Sequence, residues 1–345
     1  MSPAHGYVPL VEVRRGGTAE SVHFGAIAVV DAGGRTIASA GDLATPVVLR
    51  STAKPAQVLP LLDSGAAERF GFSEEEIAVM IGSHGGEPFH VEAVRSILKK
   101  AGLQQTALLC GAHAPNHKPS AQAMRRLGQH PSALHNNCSG KHAGMLALAV
   151  HLGAPVAAYL DPEHPVQTRI RSRLEALAGL DPGTAGMAID GCSAPTFIMP
   201  LGSLALLYAR LPAGEGDGGT PGAATRRAVA AMRRHPEMIA GSDRLCTELM
   251  RRGRGGLIAK IGAEGMYGMA FERDGRSLGI ALKIADGDGQ RARFGAALEA
   301  LHQLGALSAG DKAALRERFV GEVRNHRGLL VGTIATTFNL AAGML

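Results

Sequence analysis

The sequence predicts an α+β fold, α/β/α-like in its layering, in which strands from the two ends of the chain form one antiparallel sheet around an inserted helical lobe. Three observations predict it. Apolar and polar residues alternate over the first forty positions, a period near 3.6 takes over from about Thr52 to Pro236, and alternation returns from Gly256 onward. A chain of 345 residues buries roughly 75% of the surface it would expose unfolded, so folding alone requires neither disulfides nor metals. The expected organisation is a single domain, 1–345, of two interlocked lobes. Residues 1–50 and about 256–345 form the sheet lobe, and about 51–255 the mainly helical one.

The elements are read in chain order. Val8 to Val13, Ser21 to Val30 and Thr36 to Ala38 read as an antiparallel meander broken at Gly16-Gly17 and at Asp31-Ala32-Gly33-Gly34. Helices are predicted at about 73–82, 87–101, 139–152, 163–179, 195–210 and 222–234, the first with a capping signal in Ser73 followed by Glu76. Glu215 to Gly222 is Gly-rich and polar, a surface loop. Strands return at Gly256 to Ile261, Met266 to Glu272 and Ser277 to Ala285, the last two joined by the turn Arg273-Asp274-Gly275-Arg276. Helices at about 290–304 and 309–320 precede a terminal apolar segment.

Composition excludes several classes. The excess of 36 Lys+Arg over 30 Asp+Glu leaves a charge of +6, yet the basic residues are scattered and aromatic residues are 4% of the chain. Nucleic-acid binding needs clustered charge and stacking faces, so no nucleic-acid partner is expected. No apolar run of about 18 residues exists, so no membrane span is expected. The first ten residues show no basic stretch followed by an apolar one, and a cytoplasmic location is expected. Cys110, Cys138, Cys192 and Cys246 are widely spaced, which favours free thiols or metal ligands over a disulfide framework.

Three constellations carry chemistry. Ser51-Thr52-Ala53-Lys54 follows an apolar strand-like run and opens a helix, where residues i and i+3 share a face; a hydroxyl nucleophile then stands beside an amine base. That base works only when neutral, and a lysine with a pKa near 10.4 is neutral at pH 7 only if burial or another cation depresses it. Ser83, between Gly82 and Gly85, offers a second hydroxyl, and Lys260 on a late strand offers a second cation, with Lys283 on a neighbouring strand competing for that role. This order of Ser-x-x-Lys, helical-lobe serine and late-strand Lys-x-Gly follows that of penicillin-recognising serine enzymes, although Ser83-His84-Gly85 and Ile261 depart from the standard residues. The third constellation is Cys138, Lys141 and His142 with Asp190 and Cys192 about fifty residues on. Two thiols and an amine suit a zinc ion with one open position, His142 being an alternative ligand; the bland alternative is two thiols packed as small hydrophobes. His84, His90, His113 and His117 are ligands by type, and surface or core residues by frequency.

Arg50-Ser51-Thr52-Ala53-Lys54-Pro55, Gly82-Ser83-His84-Gly85-Gly86-Glu87, Asn136-Asn137-Cys138-Ser139-Gly140-Lys141-His142, Asp190-Gly191-Cys192 and Lys260-Ile261-Gly262-Ala263-Glu264-Gly265 together resemble the rhizobial-type, class 3, asparaginases. The resemblance runs from about residue 8 to about residue 290. It implies a fold like serine β-lactamases and glutaminases, a homodimer, and hydrolysis of L-asparagine to L-aspartate and ammonia. It also implies catalytic pairs Ser51 with Lys54 and Ser83 with Lys260, and one zinc per subunit on Cys138, Lys141 and Cys192. Asp190 would lie close to the metal water. The expected oxyanion donors are the backbone N–H groups of Ser51 and Ala263. Arg50 or the metal water would hold the substrate α-carboxylate, and Asp190 or Asn137 its ammonium. A penicillin-recognising acyl hydrolase or esterase, and a metal-dependent amidohydrolase, are the alternatives on the same residues.

Overall fold

The computed structural model describes residues 6–214 and 222–343, so the loop expected at Glu215 to Gly222 lies outside the described residues except for Gly222. Strands β1 (Val8–Arg15), β2 (Thr18–Asp31), β3 (Thr36–Ala40) and β4 (Pro46–Val48) come first, followed by a 3-10 turn at Arg50–Ala53. Helices α1 (Lys54–Gln57), α2 (Leu59–Asp63), α3 (Ala66–Phe70), α4 (Glu74–Ile81), α5 (Pro88–Lys100), α6 (Lys118–Arg126), α7 (Ser139–Leu152) and α8 (Pro165–Ala178) come next. The hairpin β5 (Gly186–Ile189) and β6 (Pro195–Pro200) leads to α9 (Leu201–Ala213), α10 (Ala223–Arg234), α11 (Pro236–Ile239) and α12 (Leu245–Arg252). Strands β7 (Ile258–Ile261), β8 (Met266–Arg273) and β9 (Arg276–Ile284), a π-helical turn at Gly289–Arg293, helices α13 (Phe294–Gln303) and α14 (Ala309–Phe319), and strands β10 (Val323–Arg324), β11 (Leu330–Thr336) and β12 (Ala341–Ala342) complete the chain. It packs as two compact units.

The first unit comprises 1–52, 199–213 and 248–345. Its sheet runs β10-β11-β1-β2-β9-β8-β7, with β3 on β2 and β12 on β3. Neighbouring strands run antiparallel, and the chain ends meet because β1 pairs β2 on one side (Val13 opposite Ser21) and β11 on the other (Val13 opposite Ile334). The terminal apolar segment of the sequence thus contains a strand. Ala26 to Val30 on β2 are all buried, the near-continuous apolar run of a strand covered on both faces. Helix α9 lies against this sheet where two glycines leave room. A Cβ on Gly279 would fall 2.0 Å from the Ala205 carbonyl, and one on Gly268 would fall 2.2 Å from the Tyr208 ring. The sequence places residues 195–210 in one helix; the structure instead ends a strand at Pro200 and starts α9 at Leu201. Thr196, Phe197 and Ile198 favour a pleated strand, and an apolar run this short shows no period by which to tell strand from helix.

The second unit comprises 53–198 and 214–247. Its centre is α7, whose residues from Ser139 to Ala149 are buried on every side. Helix α4 is capped as the sequence predicts, Ser73 Oγ accepting from Glu76 N at 3.3 Å while Glu76 Oε2 accepts from Ser73 N at 2.7 Å. The two helices approach closely at Gly140, where a Cβ would sit 2.2 Å from the Val79 carbonyl oxygen. That approach brings the start of α7 against the end of α4, and so Cys138 and Lys141 towards Gly82 and Ser83. Because the obstacle is backbone, Gly140→Ala is expected to cost about 1–3 kcal/mol, measured as a lower urea midpoint at unchanged slope.

Candidate active site

Lys54 begins α1, and its side chain is 1% exposed. Its Nζ donates to the Gly82 carbonyl at 2.5 Å, to Ser83 Oγ at 3.0 Å and to the Asn137 carbonyl at 3.3 Å. Burial lowers its pKa from the ordinary lysine value and the Lys141 charge pushes the same way, with Cys138 opposing. The acceptors come from rigid backbone. Ser83 N donates to the Ile239 carbonyl at 2.8 Å and His84 N to the Asn137 carbonyl at 3.2 Å, tying the loop after α4 to the turn before α7. That turn is shaped by Asn136, whose Nδ2 donates to the Cys110 carbonyl at 2.8 Å and whose Oδ1 accepts from Cys138 N at 2.8 Å. Sequence reasoning assigned Asn136 no role, and it carried no signal of one, because the groups it holds are backbone atoms.

Cys138, Cys192 and Asp190 place one sulfur, one sulfur and one carboxylate oxygen within 4.8 Å of one another. Lys141 Nζ donates to Cys192 Sγ at 3.1 Å, and Cys192 Sγ to Asp190 Oδ2 at 3.4 Å. Asp190 and Cys192 converge because they sit in the tight turn of the β5–β6 hairpin, closed by Ser193 N to the Asp190 carbonyl at 2.9 Å. The helix expected from about 195, just after Cys192, is thereby corrected, since the chain continues from Cys192 into the strand β6. The two thiols titrate as a pair: a hydrogen bond from Cys192 holds Cys138 well below the usual thiol value, while Cys192, as its donor, is pushed up. Burial presses Lys141 downward, but Cys138, Cys192 and Asp190 outweigh it and its pKa is raised. The ammonium balances the thiolate, and Lys141 could ligate a metal only after giving up a proton, which metal binding would drive. Among the described residues no histidine joins this cluster. His142 Nδ1 instead pairs with Tyr159 Oη at 2.6 Å.

The remaining candidates belong to the sheet unit. Ser51 and Arg50 are half-buried on the 3-10 turn, and Arg50 has φ of 49°. Lys260 on β7 is fully buried, its Nζ donating to the Ile261 carbonyl at 2.8 Å. Lys283 on β9, half-buried, donates to the Glu264 carbonyl, and burial lowers its pKa. Gly262 lies close to the Ser51 turn, since a Cβ there would meet Thr52 Cγ2 at 3.0 Å and the Leu49 carbonyl at 3.3 Å. Four described residues other than glycine have positive φ: Arg50, Ser193, Glu264 and Asp274. Three of them adjoin Ser51, Cys192 and Ala263, which is where strain is retained when a site requires it.

The histidines named from the sequence support the loops. Ser139 Oγ donates to the Leu134 carbonyl at 2.9 Å, so His84 Nε2 is its donor at 2.9 Å, while His84 Nδ1 accepts from Gly86 N at 3.2 Å. His90 stacks on His84 with centroids 4.9 Å apart; its Nδ1 accepts from Glu87 N at 3.2 Å and its Nε2 donates to the Glu237 carbonyl at 2.9 Å. His113 Nε2 accepts from Asn137 N at 3.0 Å, and His117 Nδ1 pairs with Ser120 Oγ at 2.8 Å. The His84 and His90 rings are complete in the neutral form, and a second ring proton would meet an N–H donor. Burial lowers His84 well below the ordinary value and lowers His90 to about 4. A folded pKa below the unfolded one means the unfolded chain binds more protons between pH about 6.5 and about 4, so stability falls as pH drops through that window. His90 alone is expected to remove about 2 kcal/mol of unfolding free energy between pH 7 and pH 5. Urea titrations at the two pH values check this, with the loss smaller by that amount in His90→Gln.

The L-asparaginase II family matches residues 11–336, and the chain belongs to that family. No curated protein matches it by sequence. Among solved structures, it is similar to Mglu in its native form, at 16% identity and a TM-score of 0.41, with 85% of this chain and 63% of that one covered. It is also similar to a Bacillus glutaminase, at 14% identity and a TM-score of 0.40 with 82% and 91% covered. A Bacteroides dorei DSM 17855 protein described as a candidate β-lactamase matches at 12% identity and a TM-score of 0.38, with 75% and 85% covered. The chain spans about three fifths of the length of Mglu. Among the described residues no helix is long and apolar enough to cross a membrane.

Proposed function

We propose that the protein hydrolyses L-asparagine to L-aspartate and ammonia, with Ser51 as nucleophile and the Lys54–Ser83 pair as its proton acceptor. The observation that carries this reading is the buried amine of Lys54, 3.0 Å from Ser83 Oγ, with its pKa lowered by burial. A neutral amine accepts a proton that an ordinary lysine would refuse. Ser51 lies three residues before Lys54 in the chain. Its Oγ attacks the side-chain amide carbon and its proton passes to Lys54, directly or through the Ser83 hydroxyl. The C–N bond breaks as that proton is returned to the leaving nitrogen, which departs as ammonia. Water, deprotonated by the same base, hydrolyses the acyl-serine. Among the described residues the N–H groups of Ser51 and Ala263 have no hydrogen-bond partner, which supports their reading as oxyanion donors. Lys260 is read as the second lysine, partner of Ser83 in the implied pairing, with Arg50 on the α-carboxylate and Asp190 or Asn137 on the ammonium.

Cys138, Lys141 and Cys192 would hold one zinc ion, with Asp190 beside it; when bound, the ion supplies a positive centre for positioning substrate oxygen. The chain's own residues carry every proton transfer. The reading carries with it a homodimer in the cytoplasm.

Ammonia release from L-asparagine by the purified protein tests the activity directly. Ser51→Ala, Ser83→Ala and Lys54→Met are each expected to fall at least 100-fold, on the order of what one proton-transfer group contributes; near-normal turnover in Ser51→Ala would sink the nucleophile assignment. In the wild type kcat/KM should rise with pH as Lys54 loses its proton, with its midpoint below the ordinary lysine value. Metal content measured by mass spectrometry should drop in Cys138→Ser and Cys192→Ser. Complete loss on chelation with Ser51→Ala still active would favour the metal-dependent amidohydrolase instead.

A further inference from the structure

We infer that Tyr208 is a positioning residue for Ser51, acting through the Thr52 carbonyl; this rests on the reading of Ser51 as nucleophile. Tyr208 lies on α9, is fully buried, and its hydroxyl donates to the Thr52 carbonyl at 2.8 Å. Thr52 follows Ser51 directly, so this bond grips the Thr52–Ala53 peptide, one peptide beyond the serine.

The turn has a defect that the bond answers. In a 3-10 turn the carbonyl of residue i accepts from the N–H of residue i+3. For Thr52 that residue is Pro55, which has no N–H. Upstream, Thr52 N and Thr52 Oγ1 both donate to the Leu49 carbonyl, at 3.1 Å and 2.6 Å. Arg50, just before Ser51, is held at φ of 49°, a conformation that relaxes unless its surroundings over-determine it. Tyr208 supplies the missing donor downstream.

The sheet is shaped to allow this. A Cβ on Gly268 would stand 2.2 Å from the Tyr208 ring carbons and 2.6 Å from its oxygen. Glycine on β8 is therefore what lets the phenol lie against the strand and reach Thr52. Lys260 pairs with Gly268 across β7 and β8. The strand register that places Lys260 thus also sets the cradle for the tyrosine.

Tyr208→Phe keeps the ring in its cradle and removes only the donor. The expected result is a fall in kcat of about 10- to 100-fold, the scale of a misplaced reacting group, with KM within twofold, metal content unchanged and thermal midpoint near that of the wild type. The rate at which a fluorophosphonate labels Ser51, read by intact mass and peptide mapping, should fall in parallel and needs no knowledge of the substrate. Pro55→Ala added to Tyr208→Phe restores an N–H opposite Thr52, and should recover at least threefold in labelling and turnover. Turnover and labelling within twofold of the wild type in Tyr208→Phe overturn the inference, as does a loss that Pro55→Ala leaves untouched. A wild type that labels at Ser51 but releases no ammonia from asparagine refutes the substrate and leaves the Tyr208 comparison readable by labelling. One that does not label at all removes Ser51 as nucleophile, and the inference with it.

Discussion

A lysine amine removed from water is the constraint around which the helical unit is organised. An ammonium at the position of Lys54 loses its hydration and must be repaid by acceptors, and the chain provides three: two backbone carbonyls and the Ser83 hydroxyl. Carbonyls serve here because they cannot ionise. They give the buried amine polar partners, and burial still outweighs the raising effect of Cys138 and Cys192, so its pKa remains lowered. Placing those carbonyls demands much of the surrounding fold. The contact of α4 with α7 at Gly140, the Asn136 clamp, and the rings of His84 and His113 each hold one of the two loops that converge on Nζ.

The same economy of charge governs the cysteine cluster. Lys54 and Lys141 are both buried, yet their pKa values move in opposite directions: at Lys141 the charges of Cys138, Cys192 and Asp190 outweigh burial, whereas at Lys54 burial outweighs Cys138 and Cys192 and the Lys141 charge adds to it. One amine is thereby suited to accept a proton and the other to balance thiolate charge. A divalent ion on Cys138, Lys141 and Cys192, as proposed above, would take over that balancing. Cys138, Cys192 and Lys141 all act on the Lys54 pKa, so the cysteine cluster and the Lys54–Ser83 pair are electrostatically linked inside one unit.

Much of this was legible in the residues. The Ser73 capping box, the extent of α7 and the β8–β9 hairpin follow from periodicity and turn chemistry, which act over a few residues, while the meeting of terminal strands in one sheet follows from the need to bury their apolar faces together. Two readings needed more than local information. Thr196 to Met199 alternate too briefly to declare a strand, although Pro200 marks the boundary before α9. The role of Asn136, and of the Gly82 and Asn137 carbonyls, left no trace, because every residue has a carbonyl and only its placement makes it useful. The positive φ of Arg50, Ser193 and Glu264 was equally silent, since none is a glycine or asparagine whose identity would have announced it.

The sequence by itself determined the chemical inventory: two serines, the lysines, and the Cys138, Lys141, Asp190 and Cys192 set, each within a recognisable motif. Covalent spacing and side-chain type are properties of the chain and survive without a fold. Tertiary structure decided which members of that inventory touch. It set Lys54 against Ser83, made Lys141 a partner of Cys192, and brought Tyr208 to Thr52 from 156 positions away. Pairings of that kind depend on the burial and close approach of whole elements, made possible by a missing Cβ at Gly140 and Gly268. Desolvation, which exists only in the folded chain, is what lowers the pKa of an otherwise ordinary lysine.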